Sequence, residues 1–336
     1  MSQSPLSITS TPSSREVITL ISTANSRFFP GLLVALSTAL EHASGRYDYD
    51  VKILNGGLTD QEGVILRDKL MEIGLTRGIH VSIENRILTN EELSILPIRR
   101  GSPLTNARLL VPCLFPELQR AVYLDSDVLC QRGIEEFYMA LDPQCAVSAC
   151  LDPHRMIKND RTTRSKLPRR LWSMSYFNAG VIGINVDRWR KDFARMVELL
   201  SGENQWKHAD QSLLNYLYCE HWNVVVAEAN VCLTLKNCAE NHFSKERVNI
   251  HYIGPVKPWL SRQSSCYRYE VDLMFDMASE RLLGRDEKQP RTVSARSLES
   301  AKRKGFWYRF LQPGRAHLYR SVVRRCKHIP TSDDTI

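Results

Sequence analysis

Two aspartates separated by one residue follow directly on an apolar run. Residues 121–124 precede Asp125, Ser126 and Asp127, and such a run is typical of a buried parallel strand. Because side chains on an extended backbone repeat every two residues, both carboxylates can point the same way. They would then repel each other unless a cation lies between them. The pair therefore predicts a site for Mn²⁺ or Mg²⁺, which bind carboxylates, phosphates and water, although isolated Asp-X-Asp sequences also occur in solvated turns.

A histidine and a lysine late in the chain could complete such a site. His251 lies in an apolar strand that breaks into a Gly/Pro turn bearing Lys257. By default a histidine in such a strand is a buried structural residue. Together with the aspartates, however, the two suit a metal-bound diphosphate, with His251 as a ligand and Lys257 facing phosphate. Nucleotidyl transfer and glycosyl transfer both remain open on this chemistry.

The elements that must position these residues follow an α/β pattern. An apolar strand, a polar loop at 23–27 and an apolar helix open the chain, as in nucleotide-binding α/β folds. The carboxyl ends of parallel strands are where such sheets bind ligands. Predicted strands cover residues 16–22, 49–55, 79–84, 121–124, 146–151, 176–185 and 222–226. Predicted helices cover 31–41 and 59–73, and Thr59 can cap the second of these. Further helices are predicted after Asp187, a predicted cap, and after Asp210.

Length and composition fit one large domain, or a domain with an appendage. The chain has 336 residues, of which 43% are hydrophobic and 24% charged, and no apolar run approaches the roughly 18 residues that a membrane span needs. Residues 1–14 are rich in Ser, Thr and Pro and predict a disordered tail without a secretory signal. Nine cysteines, an odd number without a Cys-X-X-Cys, indicate reduced and mostly buried thiols in a cytosolic protein.

Positive charge is concentrated in two segments. Residues 300–328 hold nine Lys or Arg and no acid, with Phe306, Trp307 and Phe310 among them, and the whole chain has a net charge of +8. Bases alternating with aromatic residues predict contact with an anionic bilayer surface, with a solvated tail or nucleic acid as alternatives. A second basic segment at 158–170 is either a solvated loop or a mobile segment that covers an anionic ligand.

Four motifs in consistent order resemble a known family. They are Tyr-Leu-Asp-Ser-Asp-Val at 123–128, Phe-Asn-Ala-Gly-Val at 177–181, Asp-Gln at 210–211 and His-Tyr-Ile-Gly-Pro-Val-Lys-Pro-Trp at 251–259. Together they resemble the retaining glycosyltransferases of family 8, which include bacterial lipopolysaccharide galactosyl- and glucosyltransferases and glycogenin. The resemblance spans roughly residues 16–262. It implies a GT-A fold, a Rossmann-like mixed sheet flanked by helices, which we place at 15–285. The composition of the C-terminal residues predicts that a basic and aromatic helical segment for membrane association follows at 286–336.

The resemblance also implies roles for individual residues. Asp125, Asp127 and His251 would bind Mn²⁺ or Mg²⁺, with Ser126 between the two aspartates. The diphosphate would face Lys257 and the Gly254 backbone. Arg108 would contact the donor sugar or phosphate. The donor sugar would also be contacted by Asn178, Asp210, Gln211 and Asp152. Thr23 and Asn25 would contact the uracil base, at a position where the family usually has an aspartate. The alternatives are purely structural roles, namely an ion pair for Arg108, backbone bridging for Asn178 and helix capping for Asp210.

These observations predict a retaining hexosyltransferase. It would move glucose or galactose from a UDP-hexose to a hydroxyl of a saccharide or lipid-linked saccharide, in lipopolysaccharide or other surface glycan assembly. We expect a cytoplasmic protein, peripheral at the inner face of the cytoplasmic membrane through its C-terminal segment, and no nucleic acid partner. The alternatives are a non-catalytic sugar-nucleotide-binding protein or a nucleotidyltransferase on the same fold.

Overall fold

A mixed seven-stranded sheet forms the centre of the protein. The computed structural model describes residues 15–98, 101–201, 206–240, 243, 247–283, 290–326 and 329–332; the predicted disordered tail at 1–14 lies outside them. The strands within these residues are β1 (Val17–Ala24), β2 (Asp48–Asn55), β3 (Val81–Ile87), β4 (Arg120–Leu124), β5 (Val128–Leu129), β6 (Val147–Met156), β7 (Ser175–Asn185), β8 (Trp222–Val224), β9 (Val231–Cys232), β10 (Ile250–His251), β11 (Gln263–Ser264), β12 (Thr292–Ser294) and β13 (Thr331–Ser332).

The order of strands in the central sheet is β3-β2-β1-β4-β7-β6-β8. The first four run parallel, whereas β7 runs antiparallel to both β4 and β6. This reversal has a direct consequence for the site. The ends of β1 and β4, the beginning of β7 and the end of β6 all reach the same edge of the sheet.

Helices cover both faces of the sheet. Within the described residues they are α1 (Phe29–Glu41), α2 (Asp60–Arg77), α3 (Asn90–Ser94), α4 (Val111–Leu114), α5 (Glu135–Met139), α6 (Arg161–Lys166), α7 (Val186–Ser201), α8 (Asp210–Tyr218), α9 (Leu235–Ala239), α10 (Tyr269–Leu283), α11 (Ala295–Leu311) and α12 (Pro313–Arg325). Helices α1 and α2 pack on one face and α7 and α8 on the other. Alternate side chains of β4 enter the two cores, which explains its continuous apolar sequence.

Helix capping follows the sequence prediction at one helix and departs from it at another. Thr59 accepts a hydrogen bond from the Glu62 N–H in a capping box, as predicted for α2. The prediction that Asp187 caps α7 is wrong, because Asp187 lies inside α7 and its carboxylate pairs with Arg190 at 2.6 Å. The side chain of Asn185 instead accepts from the Arg188 N–H at 3.0 Å.

The C-terminal residues form a helix pair that is tied back to the rest of the chain. Strand β12 pairs with β11 and with β13, so strands on either side of residue 285 share one sheet. The buried Arg291 guanidinium donates to Asp276 at 2.7 Å and to the Pro258 carbonyl at 2.8 Å. Among the described residues, no helix combines the length and apolar character needed to cross a bilayer.

Candidate functional site

A two-residue strand pairing brings the late histidine to the acid pair. Strand β5 begins at Val128, directly after Asp127, and pairs antiparallel with β10, with His251 opposite Val128. The Tyr252 N–H also donates to the Asp127 carbonyl at 2.9 Å. As a result His251 Nε2 lies 3.2 Å from Asp127 Oδ1 and 3.7 Å from Asp125 Oδ2. One ligand atom from each residue falls within 4.8 Å of the others.

The three side chains fit a divalent metal. Two ligands about 2.1 Å from Mg²⁺ and at right angles to each other are about 3.0 Å apart, close to the 3.2 Å between Nε2 and Asp127 Oδ1. That carboxylate oxygen is buried and accepts no hydrogen bond from the residues that the structure describes. Since buried polar atoms are normally paired, the unpaired oxygen indicates a place for a cation. Imidazole with two carboxylates is a ligand set that suits Mn²⁺ or Mg²⁺.

The two carboxylates have different electrostatic surroundings. Burial raises the pKa of Asp125 more than the nearby Arg108 charge lowers it. Burial would also raise the pKa of Asp127, but the ammonium of Lys257, which donates to its carboxylate, lowers that pKa well below its ordinary range. Asp127 is therefore a firmly ionised ligand.

A chain of hydrogen bonds fixes which nitrogen of His251 faces the carboxylates. The Asp152 carboxylate accepts from Asn178 Nδ2 at 3.0 Å. Asn178 Oδ1 therefore points away, and it accepts from the Gly180 N–H and from Asn230 Nδ2, both at 2.9 Å. Asn230 Oδ1 is then the atom 3.1 Å from His251 Nδ1. Because this amide oxygen is an acceptor, Nδ1 carries the proton and Nε2 presents its lone pair to the acid pair.

Gly180 leaves the space that the imidazole occupies. A Cβ added at Gly180 would lie 2.1 Å from His251 Cε1, so any larger residue at this point of β7 would displace the ring. A glycine permits a close approach to the backbone, and the group that approaches here is the side chain of the candidate metal ligand.

Arg108 connects the acid pair to the start of helix α8. Its guanidinium lies 2.8 Å from Asp125 and 2.5 Å from Asp210, and it donates to the Ala179 carbonyl. Burial alone would lower the pKa of Arg108, but the charges of Asp125 and Asp210 outweigh it and raise the pKa. Ala209, with φ 51° and ψ −128°, places Asp210 in the first turn of α8 rather than at its cap. The side chain of Asp210 therefore does not cap α8, which was the structural alternative for this residue.

Three side chains with amide or carboxylate groups lie beside Arg108. Gln211 Oε1 accepts from the Ala179 N–H at 3.0 Å, and Gln211 Nε2 donates to Asp152 at 3.1 Å. Asn178 donates to both Asp152 and Gln211. Asp152, Asn178 and Asp210 are all buried. The structure thus brings together the four residues that the sequence proposed for the donor sugar.

The remaining candidates line the edge next to the acid pair. Lys257 is buried, and its Nζ donates to Asp127 and, at 2.7 Å, to the Tyr252 carbonyl. Gly254, in the turn before it, has φ +91°. At the end of β1, Thr23 is buried, and the amide oxygen of Asn25 is buried without a hydrogen-bond partner.

The backbone of Ser126 lies against helix α1. A Cβ at Gly31 would lie 2.3 Å from the Ser126 carbonyl and 2.5 Å from the Trp259 ring. The first turn of α1, the Asp-Ser-Asp turn and Trp259 are therefore in close contact. This contact holds the acid pair against the end of β1, where the base candidates lie.

The sequence missed two buried asparagines that hold the site in place. Asn230 bridges His251 and Asn178, and Asn106 Oδ1 accepts from the Asp210 N–H at 3.1 Å. Both are at most 3% exposed. Neither belongs to a motif or a periodic pattern, and the one available signal was a polar residue next to apolar ones.

Comparison with known proteins agrees with this geometry. The family model described as glycosyl transferase family 8 matches residues 19–263. A solved structure of the galactosyltransferase LgtC, in complex with donor and acceptor sugar analogues, superposes with a TM-score of 0.63 at 20% identity. That match covers 81% of this chain and 98% of that chain. The likeness shows that the protein has the GT-A fold of that structure.

Two curated relatives are enzymes of lipopolysaccharide assembly by name. The lipopolysaccharide 1,2-glucosyltransferase of Escherichia coli is 30% identical over 192 residues, 52% of this chain and 55% of that protein. The lipopolysaccharide 1,3-galactosyltransferase of Salmonella typhimurium is 28% identical over 182 residues, 51% of this chain and 54% of that protein. The chain thus spans about half the length of these relatives. On the match over residues 19–263, the chain belongs to glycosyl transferase family 8.

Proposed function

We propose that the protein transfers a hexose from a UDP-hexose to a hydroxyl of a saccharide acceptor, with retention at the anomeric carbon. One observation carries the proposal. Two carboxylates and an imidazole from separate parts of the chain meet at the sheet edge, next to Arg108 and the buried amides. That arrangement suits a diphosphate joined to a sugar, and the family suggests a divalent metal and a nucleotide sugar.

In this proposal the acid pair, His251 and Lys257 hold the diphosphate. Mn²⁺ or Mg²⁺, bound by Asp125, Asp127 and His251, would neutralise charge on the departing UDP. Lys257 contacts Asp127 and lies beside the Gly254 turn. Its ammonium can donate to a phosphate oxygen while it still faces that carboxylate. Asn25, with its unpaired amide oxygen, can accept a hydrogen bond from the base.

The buried polar cluster would orient the hexose. Gln211 and Asn178 are held at both ends of their amides by hydrogen bonds, so they act as fixed groups rather than mobile ones. Asp210 is paired with Arg108, and Asp152 accepts from two amides. None of these is a strong free nucleophile. We therefore favour substitution on the same face of the sugar, assisted by the leaving UDP, through a transition state of oxocarbenium character.

The first experiment is UDP release from UDP-glucose and UDP-galactose, with Mn²⁺ and with chelator. We expect release from one of the two donors, its loss with chelator, and a fall of at least 100-fold in Asp127→Asn. The comparison of donors identifies the hexose, which the geometry leaves open. Pyrophosphate release from a nucleoside triphosphate would instead indicate a nucleotidyltransferase. Binding of UDP-hexose without any turnover would indicate a non-catalytic protein.

The acceptor we propose is a lipid-linked saccharide of lipopolysaccharide or another surface glycan, as the names of the relatives suggest. Helix α11 exposes Phe306, Trp307 and Phe310, and the Arg309 guanidinium lies 4.6 Å from the Phe310 ring centroid. Exposed aromatic residues beside bases suit the anionic inner face of the cytoplasmic membrane. Trp307→Ser with Phe310→Ser should reduce sedimentation with phosphatidylglycerol vesicles. Unchanged sedimentation would argue against this role.

A further inference from the structure

A strongly basic segment leaves the sheet at the same edge as the candidate site. Residues 153–174, which we call the basic loop, comprise the last four residues of β6 and the segment that leads from it to the start of β7. Because β7 is antiparallel to β4 and to β6, both of these ends lie at the edge that carries Asp125. The basic loop also directly follows Asp152. It holds seven bases, namely Arg155, Lys158, Arg161, Arg164, Lys166, Arg169 and Arg170.

The single acid of the basic loop points inward. Asp160 is 0% exposed and accepts from Ser212 Oγ at 2.6 Å and from the Tyr176 hydroxyl at 2.9 Å. It also caps α6 through Thr162 and Thr163. Its charge is therefore used inside the protein, as an anchor to β7 and α8. Since Tyr176 precedes Asn178 by two residues and Ser212 follows Gln211, the anchor holds the basic loop beside the sugar-binding end of the site.

Several of these bases, in contrast, face solvent. Lys158, Arg161, Arg169 and Arg170 are exposed, and within the described residues no carboxylate lies in ion-pairing distance of them. The Arg169 guanidinium lies 5.7 Å from the Trp172 ring centroid, and the indole N–H of Trp172 is fixed by backbone carbonyls. In the part of the chain that the structure describes, these four side chains therefore carry their charge without an acidic partner, at a cost in mutual repulsion.

We propose that the basic loop binds phosphate groups on the acceptor saccharide. This inference rests on the proposed function. The donor already has its own cations, Arg108 and Lys257, at the β4 and β10 side of the site. The basic loop is anchored through Tyr176 and Ser212 next to Asn178 and Gln211, where an acceptor would approach the hexose. Acceptors with negative charge next to the reacting hydroxyl are therefore the substrate class that the site recognises.

The test uses a triple variant, Arg161→Gln, Arg169→Gln and Arg170→Gln. The probe is deacylated lipopolysaccharide core oligosaccharide, compared with the same material after removal of its phosphates. Each exposed charge pair contributes up to about fivefold in affinity, so the variant should bind the phosphorylated probe about 10- to 100-fold more weakly in the presence of UDP. Its binding of the dephosphorylated probe and its UDP release from the donor without acceptor should stay unchanged. Added salt should weaken binding in wild type more than in the variant.

A control variant removes the same charge from helix α2, with Arg67→Gln, Lys69→Gln and Arg77→Gln. It should bind both probes as wild type does. Equal binding of the two probes by wild type, or an equal loss for both probes in the basic-loop variant, overturns the inference. So does a basic-loop variant that loses only binding to phosphatidylglycerol vesicles, because the basic loop would then be a membrane contact. UDP release is measured separately from probe binding. A failure of the proposed function therefore shows as no donor turnover, whereas a failure of the present inference shows only in the binding of the two probes.

Discussion

Replacing Asn230 with leucine should weaken metal binding even though Asn230 is not a candidate ligand. Its amide oxygen accepts from His251 Nδ1–H and thereby keeps the Nε2 lone pair directed at the acid pair. Leucine has a similar size and offers no acceptor. The imidazole is 4% exposed, so water has little access to take the place of the lost oxygen. The tautomer that binds metal then carries a buried N–H without a partner.

The magnitude follows from that unpaired group. A buried donor left unsatisfied costs about 1–3 kcal/mol, and every 1.4 kcal/mol changes an equilibrium constant about tenfold. Because the cost falls on the metal-binding tautomer, the affinity for Mn²⁺ should fall by about 10- to 100-fold, in the range known for such outer partners. Asn178 should change little, because its Oδ1 keeps the hydrogen bond from the Gly180 N–H at 2.9 Å.

The assay is Mn²⁺ titration followed by electron paramagnetic resonance, with and without UDP, so the result does not depend on turnover. Asn230→Asp keeps an acceptor oxygen and should retain most of the affinity. Asn249→Leu is the matched control, since Asn249 is equally buried but its oxygen accepts from the Gln131 and Arg132 N–H groups. It should lower stability and leave Mn²⁺ affinity unchanged. Wild-type affinity in Asn230→Leu would refute the role of the hydrogen-bond chain.

Three further changes test other parts of the site and its support. Gly180→Ala should abolish Mn²⁺ binding while the circular dichroism spectrum stays folded, because the new Cβ would meet the His251 ring. Lys257→Gln should weaken UDP binding about tenfold, measured by calorimetry, and a UDP affinity equal to that of wild type would place Lys257 outside the site. Hydrogen bonds, chiefly from Ser212 and Thr162, outweigh burial and lower the pKa of Asp160 to about 2, so its stabilisation is complete above its ordinary pKa and disappears as pH falls through 2. Asp160→Asn should therefore lower the free energy of unfolding by about 1–2 kcal/mol at pH 7. In urea titrations this difference between variant and wild type should shrink between pH 4 and pH 2. A difference that is independent of pH would contradict the pKa argument.

Features that depend on neighbouring residues could be predicted from the sequence. The apolar run of β4 and the aspartates after it are local, because a strand buried on both faces needs continuous apolar residues. The cap at Thr59 is likewise a contact over three residues. The central strands were found for the same reason, with ends that differ by a few residues. The third strand, for example, was predicted at 79–84 and is observed at Val81–Ile87.

Contacts between distant residues could not be obtained in this way. Strands β5 and β10 have two residues each, too few for any periodic pattern, and their pairing depends on the whole fold. His251 was proposed as a ligand from its residue type and from the resemblance to the family, and the pairing supplies the physical reason for its position. For Asn230 no pattern was available, since its role depends on Asn178 and His251, which are 52 and 21 residues away.

The direction of hydrogen bonding joins the two ends of the site into one unit. A carboxylate at Asp152 can only accept, so it orients Asn178, which orients Asn230, which sets the proton on His251. Asp152 also accepts from Gln211. The residues proposed to hold the sugar and the residues proposed to hold the metal therefore share one set of proton positions. Because β7 runs antiparallel to both β4 and β6, its beginning brings Asn178 to the edge where the ends of β4 and β6 bring Asp125 and Asp152. This reversal of strand direction in the sheet is what makes the shared network possible.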